Sequence, residues 1–268
     1  MPPGAEPRIG VADCLAAIER HTRGLAAAAE GNLERRIEHC PDWSMADLVR
    51  HLTGVHAFWN RLATDRPTVQ PSERPDVSAI PEAELVPALL TGMETLVATL
   101  GAADQSAACW TWGQEENVWF ITRHQVQEAA VHHWDAVNAS GGSGWSMDPL
   151  MAMDAVDEFL THSVANPRWP MPDADPIGGT IWFCACETPL GQAPGWDITD
   201  GAIPGTVSAP VNWGPDTGEI DGPVNGAHVD PSYLLLWLYR RIPDLDFYDP
   251  TEADRAMIDR FRALTFTD

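Results

Sequence analysis

Apolar residues return at helical spacing through most of the first half of the chain. Between Val11 and about Glu30, Val11, Leu15, Ile18 and Leu25 recur within an alanine-rich run that stops near Gly31, which predicts a first helix. Ser44-Met45-Ala46-Asp47 has the form of a capping box. The serine hydroxyl accepts from an orphan backbone N–H and the carboxylate favours the positive helix end, so a second helix is expected from Ser44 to about Thr64, ahead of Pro67. Leu85, Leu89, Met93, Leu96 and Leu100 make one stripe between Pro81 and Leu100, with Gly101 expected as the C-cap. A fourth helix is expected over roughly Val118 to Asn138. Consecutive amphipathic helices with moderate loops are most economically satisfied by a four-helix bundle.

Beyond the glycine-rich 140–144 segment, Asp148 and Pro149 open another helix that runs to about Val164, with Met151, Ala155, Phe159 and Leu160 inward. The pattern then changes. From Pro167 to Pro223 the chain is rich in proline and glycine, with short β-prone runs at 180–186 and 205–208. Helical patterning returns over Pro231–Arg241 and Glu252–Leu264. The expected class is α+β: a helical bundle over 8–165 and a smaller α+β domain over 166–268.

At 268 residues and 44% hydrophobic, the chain can bury a sizeable core. Its 39 acidic against 16 basic residues give a formal charge of -23, which repels phosphate backbones and anionic lipid surfaces. Neither nucleic acid nor a membrane is therefore expected as a partner. Five cysteines at irregular positions (Cys14, Cys40, Cys109, Cys184, Cys186) form neither a disulfide framework nor a zinc-finger array, which fits a reducing, cytoplasmic setting. The start of the sequence, MPPGAEPRIGVADC, has no basic stretch followed by an apolar core, and no run approaches ~18 consecutive apolar residues. The chain is expected to be neither exported nor membrane-spanning.

Candidate chemistry concentrates in 123–135. Glu128 and His132 are four apart, one turn above each other on one helix face and about 6 Å apart along the axis. Carboxylate and imidazole suit zinc and similar ions, and three protein ligands leave a position for water or substrate. One helix presents only one edge of a coordination sphere, so a third ligand must come from elsewhere. His51 is the best candidate, since Leu48, Leu52 and Val55 mark the buried side of its helix. His56, roughly 140° further round that helix, is poorly placed to share the ion. Asp135 is positioned to fix the His132 tautomer, and His124 lies on the Glu128 stripe as a reserve ligand. The bland alternative is that Glu128 and His132 form an ordinary surface pair and His51 a hydrogen-bonded boundary residue.

Trp43-Ser44-Met45-Ala46-Asp47-Leu48-Val49-Arg50-His51-Leu52-Thr53-Gly54, followed by Glu128-Ala129-Ala130-Val131-His132-His133-Trp134-Asp135, resembles the mycothiol-dependent maleylpyruvate isomerase family. The likeness continues through 153–160, 233–241 and the closing 259–268. It implies a DinB-like, metal-binding N-terminal bundle with His51, Glu128 and His132 as ligands of a metal, usually zinc. It further implies mycothiol as a low-molecular-weight thiol cosubstrate, and an actinobacterial source. A thiol with pKa near 8.5 is mostly protonated at neutral pH, and a dication shifts it to the nucleophilic thiolate. Addition to and elimination from a cis double bond gives an isomerase. Displacement of a leaving group from a small-molecule electrophile gives an S-transferase, and the metal motif does not choose between them. The competing class is a non-enzymatic ligand-binding protein with a sterol-carrier-like C-terminal domain and a structural metal.

A dicarboxylate substrate calls for a cation, and the family's C-terminal domain contributes an arginine. Arg241 is the candidate over Arg240 and Arg255, against the alternative of a surface arginine at a helix end. Cys184 and Cys186 are read as buried thiols, and Trp110, Trp112 and Trp119 as core filling that could also line a pocket mouth.

Overall fold

A computed structural model describes residues 9–185, 192–215, 226–245, 247 and 250–265. The chain divides into two compact units, Met1–Ser146 and Met147–Asp268.

The first unit contains α1 (Val11–Ala29), α2 (Met45–Asp65), α3 (Leu85–Ala102) and α4 (Val118–Ser140). α1 packs on α4 and α3, and α2 on α3 and α4. The start of α2 is the capping box foreseen from sequence: the Asp47 N–H donates to Ser44 Oγ at 3.2 Å and the Ser44 N–H to Asp47 Oδ2 at 2.9 Å. Asn117 caps α4 by accepting from the Phe120 N–H at 2.9 Å, and Gly141, with φ 75°, closes it. Leu25, Met45, Leu48, Leu52, Leu85 and Leu89 are buried together. Full burial of such a side chain stabilises by about 1.5–3 kcal/mol.

Two details of α3 depart from expectation. A 3-10 turn, Glu82–Glu84, precedes it, and the helix runs through Gly101 rather than stopping there. A Cβ at Gly101 would stand 3.2 Å from Leu15 Cδ1, so that glycine serves the close approach of α3 to α1. Among the described residues, Glu82–Ala102 is long and apolar enough to cross a membrane by length and composition. Its leucine stripe with Met93 is buried within the unit, which is what a core helix of a bundle requires.

The second unit opens with α5 (Pro149–Glu158), which continues into a π-helical turn, Phe159–Val164. Strands β1 (Ile181–Ala185), β2 (Gln192–Asp200), β3 (Val207–Ser208), β4 (Val211–Pro215) and β5 (Gly226–Val229) follow, then α6 (Pro231–Leu238) and α7 (Glu252–Leu264). The sheet order is β3-β2-β1-β5, with β4 also on β2. β2 pairs antiparallel with β1, β3 and β4, whereas β5 runs parallel to β1, with Phe183 opposite Ala227. Phe183, Trp237 and Phe261 join β1, α6 and α7 through ring centroids 5.7–6.1 Å apart.

The architecture is α+β, with a helical first unit. Its division falls after Ser146 rather than after residue 165. The apolar face of α5 is covered by α6, and Phe159 lies 4.8 Å from the Tyr239 ring at the end of α6, so this helix belongs to the second unit. Along β1 burial alternates, and Cys184 lies on the half-buried face instead of the buried one; Cys186 falls outside the described residues.

Candidate metal centre

α2 carries His51, and α4 carries Glu128 and His132 one turn apart. The packing of α2 on α4 brings the three together: one ligand atom from each lies within 4.8 Å of the other two. Glu128 Oε2 is 3.6 Å from His132 Nε2 and 3.9 Å from His51 Nε2, and the two imidazole centroids are 4.9 Å apart. Metal–ligand bonds of about 2.0–2.2 Å set tetrahedral ligand atoms about 3.3–3.6 Å apart. The observed spacings are within a few tenths of an ångström to about one ångström of that, so two imidazoles and a carboxylate fit a zinc-like dication. His51 and Glu128 retain 23% and 19% side-chain exposure, and His132 only 9%. The cluster thus sits on α4's buried side but opens to solvent at His51.

The electrostatics favour the ligand forms. Burial pushes the Glu128 carboxyl up, but the contacts from His124 and His51 and the fields of His124 and His132 outweigh it and hold the group well below the usual carboxylate range. Burial pushes His132 below 6.5 against the opposing hydrogen bond to Asp135, so the ring is neutral at neutral pH. His132 Nδ1 donates to Asp135 Oδ2 at 3.0 Å, which leaves the Nε2 lone pair facing Glu128 and His51. Asp135 therefore stands where its spacing placed it.

Other residues sort clearly. His56 is fully buried away from the cluster, between Gln125 Oε1 (3.1 Å from Nδ1) and Thr22 Oγ1 (3.2 Å from Nε2). His124 is outside the three-ligand group, and its Nε2 meets the other carboxylate oxygen, Glu128 Oε1, at 3.3 Å. Sequence reasoning assigned Trp43 no role at the site. Its ring centroid lies 4.7 Å from that of His51 and 6.3 Å from that of His132, and its place one residue before the cap of α2 is the signal that could have found it. Trp112 packs edge-on against Phe120 and His124.

Arg241 belongs to the second unit. It is 3% exposed, its Nη1 donates to the Tyr239 carbonyl at 2.8 Å, and its guanidinium lies 5.9 Å from the Tyr239 ring. The alternative of a surface arginine is therefore corrected.

Residues 14–137 match the model of the mycothiol maleylpyruvate isomerase N-terminal domain. This helical segment is therefore similar to that domain family. All three cluster residues lie inside the matched segment. No curated protein and no solved structure matches the chain.

Proposed function

We propose that the chain is a metal-dependent enzyme that uses mycothiol as cosubstrate to attack a small electrophile. The observation that carries this reading is the partly exposed His51–Glu128–His132 cluster inside a mycothiol-associated family domain. A bound zinc or similar dication would lower the thiol pKa and so supply thiolate at neutral pH.

The chain's own residues do the rest. His51, Glu128 and His132 would hold the ion, Asp135 orients His132, and Trp43 packs against the His51 ring. In the isomerase form, the thiolate's C–S bond forms as the cis double bond becomes single, the bond rotates, and the C–S bond breaks to return the trans product and the same thiolate. In the S-transferase form, a leaving group departs with the electron pair and the thioether remains. Maleylpyruvate-like isomerisation is the reading the family description favours. The non-enzymatic reading with a structural metal calls for a closed fourth protein ligand, and His124, the reserve for that role, is turned to Glu128 Oε1.

Titration of the cobalt(II)-loaded protein with mycothiol tests this. A saturable thiolate-to-cobalt charge-transfer absorption is expected, and its loss in His51→Ala. An unchanged cobalt spectrum at saturating mycothiol would contradict the thiol reading.

A further inference from the structure

We infer that His124 is a positioning residue for the metal centre: its Nε2–H holds one oxygen of Glu128, so that the other is turned toward His51 and His132. The inference rests on the metal reading of that cluster. The two carboxylate oxygens have separate neighbours, Oε1 with His124 Nε2 at 3.3 Å, and Oε2 with His132 and His51 at 3.6 and 3.9 Å.

The tautomer of His124 follows from its other side. The Gln127 side-chain Nε2, which can only donate, lies 3.3 Å from His124 Nδ1. The Nδ1 lone pair accepts that bond, the ring proton therefore sits on Nε2, and Nε2 faces the carboxylate as a donor. Gln127 to His124 to Glu128 is thus a directed chain of hydrogen bonds along α4, and its first two members are almost fully buried, Gln127 being 1% and His124 5% exposed.

Aromatic rings fix the imidazole in place. Phe120 stacks on it at 5.6 Å and 11°, while Trp59 and Trp112 meet it edge-on at 5.4 and 5.0 Å. A ring walled on these sides cannot swing to offer Nε2 to an ion without vacating a packed position. The arrangement repeats on the carboxylate ligand what Asp135 does for His132, with the polarity reversed: a donor held against a carboxylate rather than an acceptor against an imidazole. One consequence is chemical. A carboxylate with one oxygen engaged coordinates through the other, which leaves more of the ion's sphere for thiol and substrate.

The test compares zinc affinity, by competition with a chromophoric chelator, with the thermal midpoint of the metal-free protein. His124→Phe keeps an aromatic ring in the box and removes the donor. It is expected to lose about 10–100-fold in zinc affinity with the midpoint nearly unchanged. His124→Gln, whose amide N–H reaches a similar distance along the side chain, is expected to recover most of that loss. Wild-type affinity in His124→Phe, or a His124→Gln as weak as His124→Phe, would overturn the inference. Should His124→Phe fail to fold, Gln127→Leu keeps the imidazole and its walls while removing the bond that sets the tautomer. A loss in the same direction supports the chain, and no change overturns it. His51→Ala separates the two levels: zinc binding that is absent in wild type or survives in His51→Ala defeats the metal reading itself. Binding lost in His51→Ala but intact in His124→Phe defeats only the role of His124.

Discussion

Each histidine near Glu128 has a different partner: His132 has Asp135, His51 has the tilted ring of Trp43, and His124 has Gln127 and three rings. Such supports determine where a ligand atom stands before an ion arrives. Other imidazoles are buried, as His21 and His56 are, or half-buried, as His133 is. Burial holds His56 at about 4 and His133 at about 4, and burial together with the fields of His133 and Arg20 holds His21 at about 3, all from an ordinary 6.5. Because the folded values lie below the unfolded one, the unfolded chain takes up protons first as pH falls. Stability from these groups is complete well above 6.5 and is lost progressively as pH falls toward 4 for His56 and His133 and toward 3 for His21. The thermal midpoint of the metal-free protein is expected to fall over that window, less steeply in His56→Gln. A midpoint with equal slope in both would contradict a buried neutral His56. At this scale the convergence of the three side chains was legible because the spacing of Glu128 and His132 and the apolar stripe beside His51 fix helix faces. Trp43 and Gln127 were not, since their contacts depend on how α2 meets α4 and on rotamers that spacing does not specify.

Among the elements, α2 is the one of the two helices carrying the cluster that begins with a capping box, seven residues before His51. Ser44→Ala removes the acceptor for the Asp47 N–H and is expected to cost about 1 kcal/mol, read as a lower denaturant midpoint with an unchanged slope. An unchanged midpoint would show that tertiary packing alone sets that helix start. The amphipathic helices were read to within a few residues because burial of one face imposes a period on the sequence. Gly101 was misread since a glycine at a helix end looks the same whether it caps or packs, and only the Leu15 contact distinguishes the two. β2 passed unseen because Pro194 and Gly195 resemble turn signals, and β5 because its parallel pairing with β1 spans distant sequence.

For the whole molecule, the proposed chemistry begins in one unit: His51, Glu128 and His132 all lie within Met1–Ser146. The division after Ser146 was not legible because α5 continues the helical pattern of the bundle, and only its contact with α6 assigns it to the other unit. A net charge of -23 adds a long-range attraction for dications that weakens as salt rises, but a diffuse field neither sets stoichiometry nor selects imidazole ligands. The most direct measurement is therefore zinc content and X-ray absorption of the chelator-stripped, reloaded full chain beside His51→Ala. One zinc per wild-type chain, with imidazole nitrogen and carboxylate oxygen around it, and loss of that zinc in His51→Ala are expected. Zinc bound without imidazole, or retained unchanged in His51→Ala, would contradict the account.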